Sequence, residues 1–410
     1  MKQTIYPQKF YKKIKAPASK SAMQRAVAMA VLVKSEVVLT NPSYCNDALA
    51  VLKIAENLGA SVKKEAERVT IIFENNLIKT EINCGESGLG VRMFSPILSL
   101  FDKNFTVTGE GSLLKRPVLG IEEALNKLGV ECETTNGFLP LKIYGKLKGG
   151  VAEIDGSQSS QVLTGLLIAL ANAENNSEII VNNLKSKPYI DLTISMMQDF
   201  GVDVENLNYK IFKIKGNQKY NIKKYNIEGD WSGASFLLVA GLIAGKSEVE
   251  NLNLDSLQAD KEIIKAIKLS GGKIRISENL IVTEKSELSA FEFDATDCPD
   301  LFPPLVSMAA YCKGISKIKG ISRLTHKESN RAIVLQKEFS KIGIKIDLKG
   351  DFMHITGGNV LGGKIDSNND HRIAMAAAIV ALSAENKIII DNSESVKKSY
   401  PDFYDSLGIV

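Results

Sequence analysis

Apolar residues along this chain first fall at helical spacing and then alternate, and the change recurs at regular intervals. In each copy an amphipathic helical pattern ends at a glycine, and a strand-like alternation follows, as in Val202 and Val204. Spacings of 70, 72, 70 and 72 residues separate five of these glycines, Gly59, Gly129, Gly201, Gly271 and Gly343, and a truncated sixth copy has Gly408. Glycine accepts the left-handed conformation that often follows a helix, so we predict that a helix ends at each of them.

A repeat of this length predicts supersecondary units that pack on one another to bury their apolar faces. Four further segments are apolar all round and are therefore predicted to be buried helices: 162–173, 236–244, 303–311 and 373–384. The pattern thus predicts six similar α/β units, grouped three and three. Whether the two groups face each other across a cleft does not follow from the pattern.

Composition narrows the class of protein. The chain has 410 residues, 44% of them hydrophobic, and a net charge of +4 that gives no indication of nucleic-acid binding. Its N-terminal ten residues have no apolar core of the kind that a secretory signal needs, and stretches such as 236–245 are about half of the roughly 20 residues that cross a bilayer. The five cysteines lack metal-ligand spacing. We therefore expect a cytoplasmic protein that does not bind a membrane and has no structural zinc.

Basic residues occur at the start of the first helical pattern. Lys20 and Ser21 precede it, and Arg25 lies one turn in, on the same face as Ser21. Cations at a helix N-terminus oppose the helix dipole unless an anion is bound there. From spacing alone, an anion site and a solvated surface turn remain equally acceptable.

Two other segments combine small or basic residues with a helix start. Gly88 lies in a glycine-rich turn before Arg92, where glycine permits close approach of a ligand to the backbone. Lys115 and Arg116 directly precede Pro117, a suitable first helical residue. A plain turn and an exposed basic pair are the ordinary alternatives, and on spacing they are favoured.

Polar residues also cluster ahead of two later helices. Ser159, Ser160 and Gln161 precede a buried helix, and one helix cap does not account for all three. Ser186 and Tyr189 stand at the start of the next helical pattern, where capping alone is an equally good explanation.

Charged residues of both signs mark the C-terminal half. Lys327 and Arg331 share a helix face, and Glu328 can pair with Arg331 one turn away. Arg372 opens an apolar helix, whereas Asp300 before another helix fits a cap better than a general base on spacing alone. Lys398 completes the basic set. The chain has no Ser-His-Asp order, metalloprotease motif, P-loop or dinucleotide fingerprint, and its three histidines are too dispersed to suggest a metal site.

Read together, these segments resemble EPSP synthases. Nine matching motifs occur in the family's order between residues of about 16 and 405: SKSAMQR, GESGLGVR, KRP, DGSQSSQ, SKPYID, CPD, HKESNR, NDHR and KKSYPDFY. The resemblance implies two inside-out α/β domains, each of three βαβαββ repeats, with a cleft between them. One domain would be 16–227 and the other 1–15 plus 228–410, with crossovers at about 15–16 and 227–229.

The resemblance also implies an activity. The enolpyruvyl group of phosphoenolpyruvate would pass to the 5-hydroxyl of shikimate 3-phosphate, phosphate would be released, and neither a cofactor nor a metal would be required. Two phosphorylated carboxylic acids repel each other in a low-dielectric site, which explains the many cations. A monomer is the family-level expectation.

Roles of individual residues follow from the same resemblance. Asp300 would be the base for the hydroxyl, and Glu328 would handle the proton near the methylene, with Lys20 assisting. Shikimate 3-phosphate would be bound by Lys20, Ser21, Arg25, Ser159, Ser160, Gln161, Ser186, Tyr189, Asp300 and Lys327. Phosphoenolpyruvate would be bound by Lys20, Gly88, Arg92, Arg116, Gln161, Arg331, Arg372 and Lys398.

The chain departs from the family pattern at three positions. Leu89 stands where many members have Thr, Met93 where many have Pro, and Arg323 where some have Asn. The first two would lie beside the phosphoenolpyruvate pocket, so sensitivity to glyphosate stays open.

Three alternatives remain at this stage. A sister transferase acts on UDP-N-acetylglucosamine, but that family carries a reactive Cys in the loop near 109–117, which here reads GEGSLLKRP. A non-catalytic anion-binding relic is another alternative, which the presence of both Asp300 and Glu328 disfavours. A nucleic-acid-binding protein is the third, and it would need a basic stripe or exposed aromatic residues.

Overall fold

The computed structural model describes residues 1–74, 78–157 and 159–409. The chain forms two compact units. The N-terminal unit is Ala18–Ile227, and the C-terminal unit is Met1–Pro17 together with Glu228–Val410. The resemblance places the crossovers at about 15–16 and 227–229, and the units divide after Pro17 and after Ile227.

The strands, numbered in chain order, are β1 (Lys2–Ile5), β2 (Phe10–Lys15), β3 (Val37–Thr40), β4 (Ala60–Glu65), β5 (Arg68–Phe73), β6 (Glu81–Asn83), β7 (Phe105–Thr108), β8 (Glu131–Thr135), β9 (Phe138–Tyr144), β10 (Val151–Asp155), β11 (Ser177–Asn182), β12 (Glu205–Leu207), β13 (Ile211–Ile214), β14 (Lys224–Asn226), β15 (Gly245–Glu250), β16 (Lys273–Ser277), β17 (Leu280–Glu284), β18 (Leu288–Ser289), β19 (Glu292–Asp294), β20 (Cys312–Lys313), β21 (Ile315–Lys319), β22 (Lys345–Lys349), β23 (Phe352–Thr356), β24 (Gly363–Asp366) and β25 (Ile388–Asp391).

The α-helices are α1 (Lys20–Ala30), α2 (Asn46–Asn57), α3 (Gly88–Leu98), α4 (Leu119–Lys127), α5 (Gln161–Asn172), α6 (Lys187–Asp199), α7 (Trp231–Ala244), α8 (Ile263–Leu269), α9 (Phe302–Ala309), α10 (Arg331–Ser340), α11 (His371–Ala381) and α12 (Phe403–Leu407). Short 3-10 helices lie at Gly111–Lys115, Ala259–Glu262, Pro299–Leu301, Ile321–Leu324 and Ser393–Lys398.

The N-terminal unit repeats one sheet topology. Its four-stranded sheets have the orders β14-β3-β5-β4, β6-β7-β9-β8 and β10-β11-β13-β12. In each, the first two strands are parallel and the last two form an antiparallel hairpin. Strand β14, from the end of this unit, pairs with β3 near its beginning, with Lys224 opposite Val38.

The C-terminal unit has the same pattern with one variation. Two of its sheets have the orders β2-β15-β17-β16 and β19-β21-β23-β22, and another has three strands, β24-β25-β1. Strands β18 and β20 form a short parallel pair. The truncated sixth repeat lacks its own hairpin, and β1 pairs antiparallel with β25, so that Lys2 lies opposite Asp391. The first 15 residues therefore supply two strands to this unit.

Some helices lie in the interior of each unit, whereas others, such as α4 and α8, bury only one face. Every residue of α3, α9 and α11 is buried. Helices α5, α7, α9 and α11 correspond to the four apolar segments that the sequence predicts as buried helices, and the prediction is confirmed with ends that differ by at most five residues. Strands such as β3 and β7 alternate buried and half-buried residues, as expected when one sheet face packs on helices.

The glycine prediction is also confirmed. All six repeat glycines have positive φ, between 72° and 94°. The chain therefore leaves each of these helices through a glycine whose backbone conformation other residues disfavour. Among the described residues, no helix is long and apolar enough to cross a membrane.

Candidate active site

The candidate residues divide between the two units. Eleven lie in the N-terminal unit: Lys20, Ser21, Arg25, Gly88, Arg92, Arg116, Ser159, Ser160, Gln161, Ser186 and Tyr189. Six lie in the C-terminal unit: Asp300, Lys327, Glu328, Arg331, Arg372 and Lys398.

Helix α1 carries the first cations. Ser19 caps it by accepting a hydrogen bond from the backbone N–H of Ala22 at 3.3 Å. The Nζ atom of Lys20, the first residue of the helix, lies 3.0 Å from Oδ2 of buried Asp47. Because the side chain of Lys20 is only 14% exposed, the solvated-turn alternative does not describe it.

Arg25 is buried among neutral oxygens. Its guanidinium donates to Oγ1 of Thr193 at 2.9 Å and of Thr164 at 3.5 Å, and to the carbonyls of Ser21 and Tyr189 at 3.1 and 3.3 Å. No carboxylate contacts it within the part of the chain that the structure describes. Burial lowers the pKa of Arg25 to about 10, against an opposing effect of the Tyr189 phenol. An anionic ligand here would relieve the cost of a charge that only dipoles now offset.

The glycine-rich turn brings two more arginines together. A side-chain carbon at Gly88 would lie 2.6 Å from both terminal nitrogens of Arg116, so only glycine permits this contact. Arg92 donates to the carbonyls of Gly88 at 3.0 Å and of Pro117 at 2.8 Å. The sequence predicts that glycine admits a ligand; in the structure, the group that approaches Gly88 is the Arg116 guanidinium. Arg116 is 8% exposed, so the favoured alternative of an exposed basic pair is wrong for it, whereas Lys115 is exposed.

The start of α5 is tied to the same arginine. Oγ of Ser159 accepts a hydrogen bond from the backbone N–H of Gln161 at 3.1 Å. Oε1 of Gln161 accepts one from Nη1 of Arg92 at 3.4 Å. Ser160 is the N-cap residue and is buried, but its side chain does not cap the helix. Ser159, Ser160 and Gln161 therefore differ in their contacts, and a single helix cap does not account for all three.

Ser186 departs from an ordinary helix start. It precedes α6 with a φ of 56°, in the left-handed region, and its side chain does not cap the helix. Left-handed backbone is uncommon for residues other than Gly, Asn and Asp, and it tends to occur at functional sites. The simple capping explanation therefore fails for Ser186. Tyr189, one turn further, contributes its carbonyl and its ring to the surroundings of Arg25.

In the C-terminal unit, Arg331 binds three carboxylates. This side chain, 1% exposed, donates to Oδ1 of Asp300 at 2.7 Å, to Oε2 of Glu328 at 2.5 Å and to Oδ2 of Asp370 at 2.8 Å. Burial alone would lower the pKa of Arg331, but Asp370, Glu328 and Asp300 raise it above its usual value. The two candidate catalytic carboxylates are thus fixed by one buried guanidinium.

Asp300 has further cationic neighbours. Nη2 of Arg372 lies 3.1 Å from its Oδ2, and Nζ of Lys327 lies 3.6 Å from its Oδ1. Burial raises the pKa of Asp300, but Arg372, Lys327 and Arg331 outweigh burial and hold this pKa well below its usual range. Asp300 is therefore ionised in this arrangement. It lies within the 3-10 helix Pro299–Leu301, and Leu301 is the N-cap residue of α9, so the interpretation of Asp300 as a helix cap is wrong.

Two lysines complete this set. Burial lowers the pKa of Lys327, and the charge of Asp300 opposes that effect. Lys398 is 5% exposed, and its Nζ lies 3.9 Å from Oε1 of Glu328.

Sequence reasoning did not select two buried aspartates. Asp370 caps α11 through the backbone N–H of Arg372 at 3.0 Å while also accepting from Arg331. Its position before a helix signals the cap, but nothing local signals a partner 39 residues away. Asp260 accepts a hydrogen bond from Ser232, and burial together with the nearby charge of Asp300 raises the pKa of Asp260 to about 6, against an opposing effect of Arg372.

One group of side chains has the spacing of a possible metal site. Ligand atoms of Glu328, Asp370 and His371 lie within 4.8 Å of one another, closer than the dispersed histidines suggest. Both carboxylates, however, already bind the guanidinium of Arg331. A metal ion would have to displace that buried cation, so the absence of a metal stays a prediction.

Known proteins share the sequence pattern and the fold of this chain. A sequence model described as EPSP synthase (3-phosphoshikimate 1-carboxyvinyltransferase) matches residues 6–407. The 3-phosphoshikimate 1-carboxyvinyltransferase of Clostridium novyi is 38% identical over 413 residues, which cover 98% of this chain and 95% of the relative. That of Clostridium acetobutylicum is 39% identical over 402 residues, with 96% and 94% covered.

Solved structures agree. An EPSP synthase from Acinetobacter baumannii has a TM-score of 0.83 at 26% identity, covering 99% of this chain and 97% of that one. An enolpyruvyl transferase from Streptomyces tendae, 15% identical, has a TM-score of 0.80 over 99% and 96% of the two chains and shows the fold alone. The prediction of an enolpyruvyl transferase fold is confirmed. Because the family model matches residues 6–407 and the two Clostridium relatives are 38% and 39% identical over 98% and 96% of the chain, the chain belongs to the EPSP synthase family.

Proposed function

We propose that this protein transfers the enolpyruvyl group of phosphoenolpyruvate to the 5-hydroxyl of shikimate 3-phosphate and releases phosphate. Membership of the family and the names of its relatives support this reaction. The observation that carries the proposal is the binding of Asp300 and Glu328 to one buried guanidinium, Arg331. A surface ion pair has no need of such burial, whereas two fixed carboxylates beside several cations suit proton transfer next to an anionic substrate.

The N-terminal unit is proposed to bind shikimate 3-phosphate through cations and neutral donors. Arg25 carries a buried charge without a carboxylate partner among the described residues, which fits a role as an anion receptor. Hydroxyl and amide groups at the helix starts suit the ring hydroxyls of the substrate. The proposed ligands are Lys20, Ser21, Arg25, Ser159, Ser160, Gln161, Ser186 and Tyr189, with Asp300 and Lys327 from the C-terminal unit.

Phosphoenolpyruvate is proposed to bind to arginines because a planar guanidinium forms two parallel bonds to phosphate or carboxylate. The proposed ligands are Lys20, Gly88, Arg92, Arg116, Gln161, Arg331, Arg372 and Lys398. The backbone at Gly88 would contribute beside Arg116, whose guanidinium lies against it.

Chemistry proceeds by addition and elimination in this proposal. The C–O bond forms between the 5-oxygen and C2 of phosphoenolpyruvate, Asp300 accepts the hydroxyl proton, and the methylene carbon takes a proton from Glu328 with assistance from Lys20. A proton then returns from the new methyl group to Glu328 as the C2–O bond to phosphate breaks, which regenerates the double bond. The departing phosphate takes up the proton held by Asp300, so both carboxyl groups return to their starting states. Only the two substrates are consumed.

The low pKa of Asp300 makes it a weak base without substrate. Arg331 and Arg372 hold its negative charge and are also proposed to bind phosphoenolpyruvate. When the substrate anion shares those cations, their hold on Asp300 weakens and its pKa rises. Binding of phosphoenolpyruvate would thereby strengthen the base that removes the hydroxyl proton.

The decisive test is phosphate release from the purified protein, measured with phosphoenolpyruvate alone and with shikimate 3-phosphate added. Release that requires both substrates is the expected result. Release with UDP-N-acetylglucosamine instead would assign the chain to the sister reaction, and no release with either acceptor would favour the non-catalytic alternative. Size-exclusion chromatography with light scattering tests the proposed monomer.

A further inference from the structure

The loop that ends at Arg116 is fastened to the glycine-rich turn by a carboxylate outside the candidate site. Oε2 of Glu86 accepts hydrogen bonds from the backbone N–H of Ser112 at 2.9 Å and from the Ser112 hydroxyl at 2.7 Å. Ser112 lies in the 3-10 helix Gly111–Lys115, and Arg116 is the residue that follows it. Two residues after Glu86 comes Gly88, the contact of the Arg116 guanidinium.

The carboxylate of Glu86 packs closely against Gly111. A side-chain carbon at Gly111 would lie 2.5 Å from the carboxyl carbon of Glu86, and Gly111 has a φ of 52°. The backbone N–H of Glu110 also donates to the carbonyl of Gly85 at 2.7 Å. The two loops are therefore joined by a backbone hydrogen bond as well as by the Glu86 side chain.

We infer that Glu86 is a positioning residue for phosphoenolpyruvate binding, because it holds the 3-10 helix Gly111–Lys115 so that the Arg116 guanidinium lies against Gly88. The inference rests on the proposed function, in which Arg116 binds this substrate. Glu86 acts through Arg116 and is not proposed to touch the substrate.

Charge alone predicts the opposite effect of removing Glu86. A carboxylate near an anion site repels the anion, so its loss should tighten binding if electrostatics were its only contribution. Loss of the attachment should weaken binding instead. The direction of the change in the Michaelis constant therefore separates the two roles.

The experiment compares Glu86→Ala with Glu86→Gln. For Glu86→Ala we expect the Michaelis constant for phosphoenolpyruvate to rise about tenfold, since hydrogen bonds to a charged group are lost. The constant for shikimate 3-phosphate should change by less than about twofold. Glu86→Gln keeps an oxygen that can accept both bonds and should stay within about threefold of the native protein.

Glu110→Ala is the matched control. Its Oε1 accepts from Nδ2 of Asn83 at 2.7 Å, so it also joins these loops, but this bond is exposed. We expect no rise in the Michaelis constant for phosphoenolpyruvate. An equal rise in Glu110→Ala would show that any disturbance of the loops has this effect and would overturn the specific role of Glu86.

A double substitution tests whether Glu86 acts through Arg116. In an Arg116→Ala background, Glu86→Ala should add less than about twofold to the Michaelis constant, since the group it positions is gone. Independent, additive effects would contradict the inference, as would a lower Michaelis constant in Glu86→Ala.

Failure of the proposed function can be distinguished from failure of the inference about Glu86. If the native protein released no phosphate with either acceptor, hydrogen exchange of the backbone amides of 110–116 would still report the attachment. Faster exchange in Glu86→Ala, but not in Glu86→Gln, would support the fastening of the loop, and unchanged exchange in both would overturn it.

Discussion

Arg25 in the N-terminal unit and Arg331 in the C-terminal unit are both almost fully buried, at 2% and 1% exposure, yet their surroundings are opposite. Arg25 donates to hydroxyls and backbone carbonyls, and burial lowers its pKa to about 10. Arg331 donates to three carboxylates, which raise its pKa against the effect of burial.

The difference separates two uses of a buried cation. Arg25 has its charge offset only by dipoles, so an incoming anion would find a receptor that needs no partner removed. Arg331 has its charge already balanced, so its first contribution is to hold Asp300 and Glu328 in place. An anion can reach Arg331 only by sharing it with those carboxylates, which couples substrate binding to their protonation.

The largest expected effect is the loss of turnover when Asp300, one of the carboxylates bound to Arg331, is replaced. Asp300→Asn keeps the size of the side chain but removes the proposed base, so turnover should fall by about three orders of magnitude with little change in either Michaelis constant. Steady-state phosphate release measures it. Asp294→Asn, on an exposed aspartate paired with Lys319, is the control. Near-normal turnover of Asp300→Asn would remove Asp300 from that role.

Removing the cation that balances the carboxylates should cost stability. Arg331→Met leaves Asp370, Asp300 and Glu328 without their shared partner, and the free energy of unfolding should fall by about 3–5 kcal/mol at pH 8. Urea denaturation measures it. Arg275→Met removes an exposed arginine paired with Glu284 and should cost no more than about 1 kcal/mol.

The pH dependence of Arg331→Met has a definite sign. Arg331 is one of the cations that hold the pKa of Asp300 well below its usual range. A carboxylate with a lowered pKa contributes stability that is fully present above its unfolded pKa of about 3.9 and is lost as pH falls through the folded pKa. Arg331→Met raises the pKa of Asp300 and removes part of this contribution, so the deficit relative to the native protein should shrink as the pH falls below about 4. A deficit that grew on acidification would contradict this account.

Arg25→Met should show the reverse pattern. Thr193 keeps its bond to the Tyr189 carbonyl at 2.7 Å, so the variant leaves no charge and no hydroxyl stranded. We expect the free energy of unfolding to stay within about 1 kcal/mol of the native value, because an apolar chain replaces a buried ion. Affinity for shikimate 3-phosphate, measured by calorimetry, should fall about 100-fold. A large loss of stability with unchanged affinity would make Arg25 a structural residue.

The smallest expected effect concerns Arg116 of the N-terminal unit. Arg116→Ala should raise the Michaelis constant for phosphoenolpyruvate about tenfold and leave that for shikimate 3-phosphate unchanged. Lys115→Ala, at the adjacent exposed position, is the control. Equal constants in Arg116→Ala and the native protein would return Arg116 to a purely structural role.

The helix ends and the buried helices could be predicted from the sequence because the residues that specify them are close together in the chain. Helix ends at Gly59 or Gly343 depend on the conformational freedom of one residue, and buried helices such as α11 depend on apolar positions a few residues apart. The family motifs then indicate which polar residues to consider, but the roles of those residues remain predictions.

Tertiary structure alone decided which of those residues meet. Arg331 joins Asp300 and Asp370 across 31 and 39 positions, and β1 completes a sheet with β25 at the other end of the chain. No local periodicity encodes such pairings, because they depend on how whole elements pack. The sequence by itself determined the repeats, their capping glycines and the buried helices, whereas only packing in three dimensions decided which buried charge is balanced and which can receive an anion.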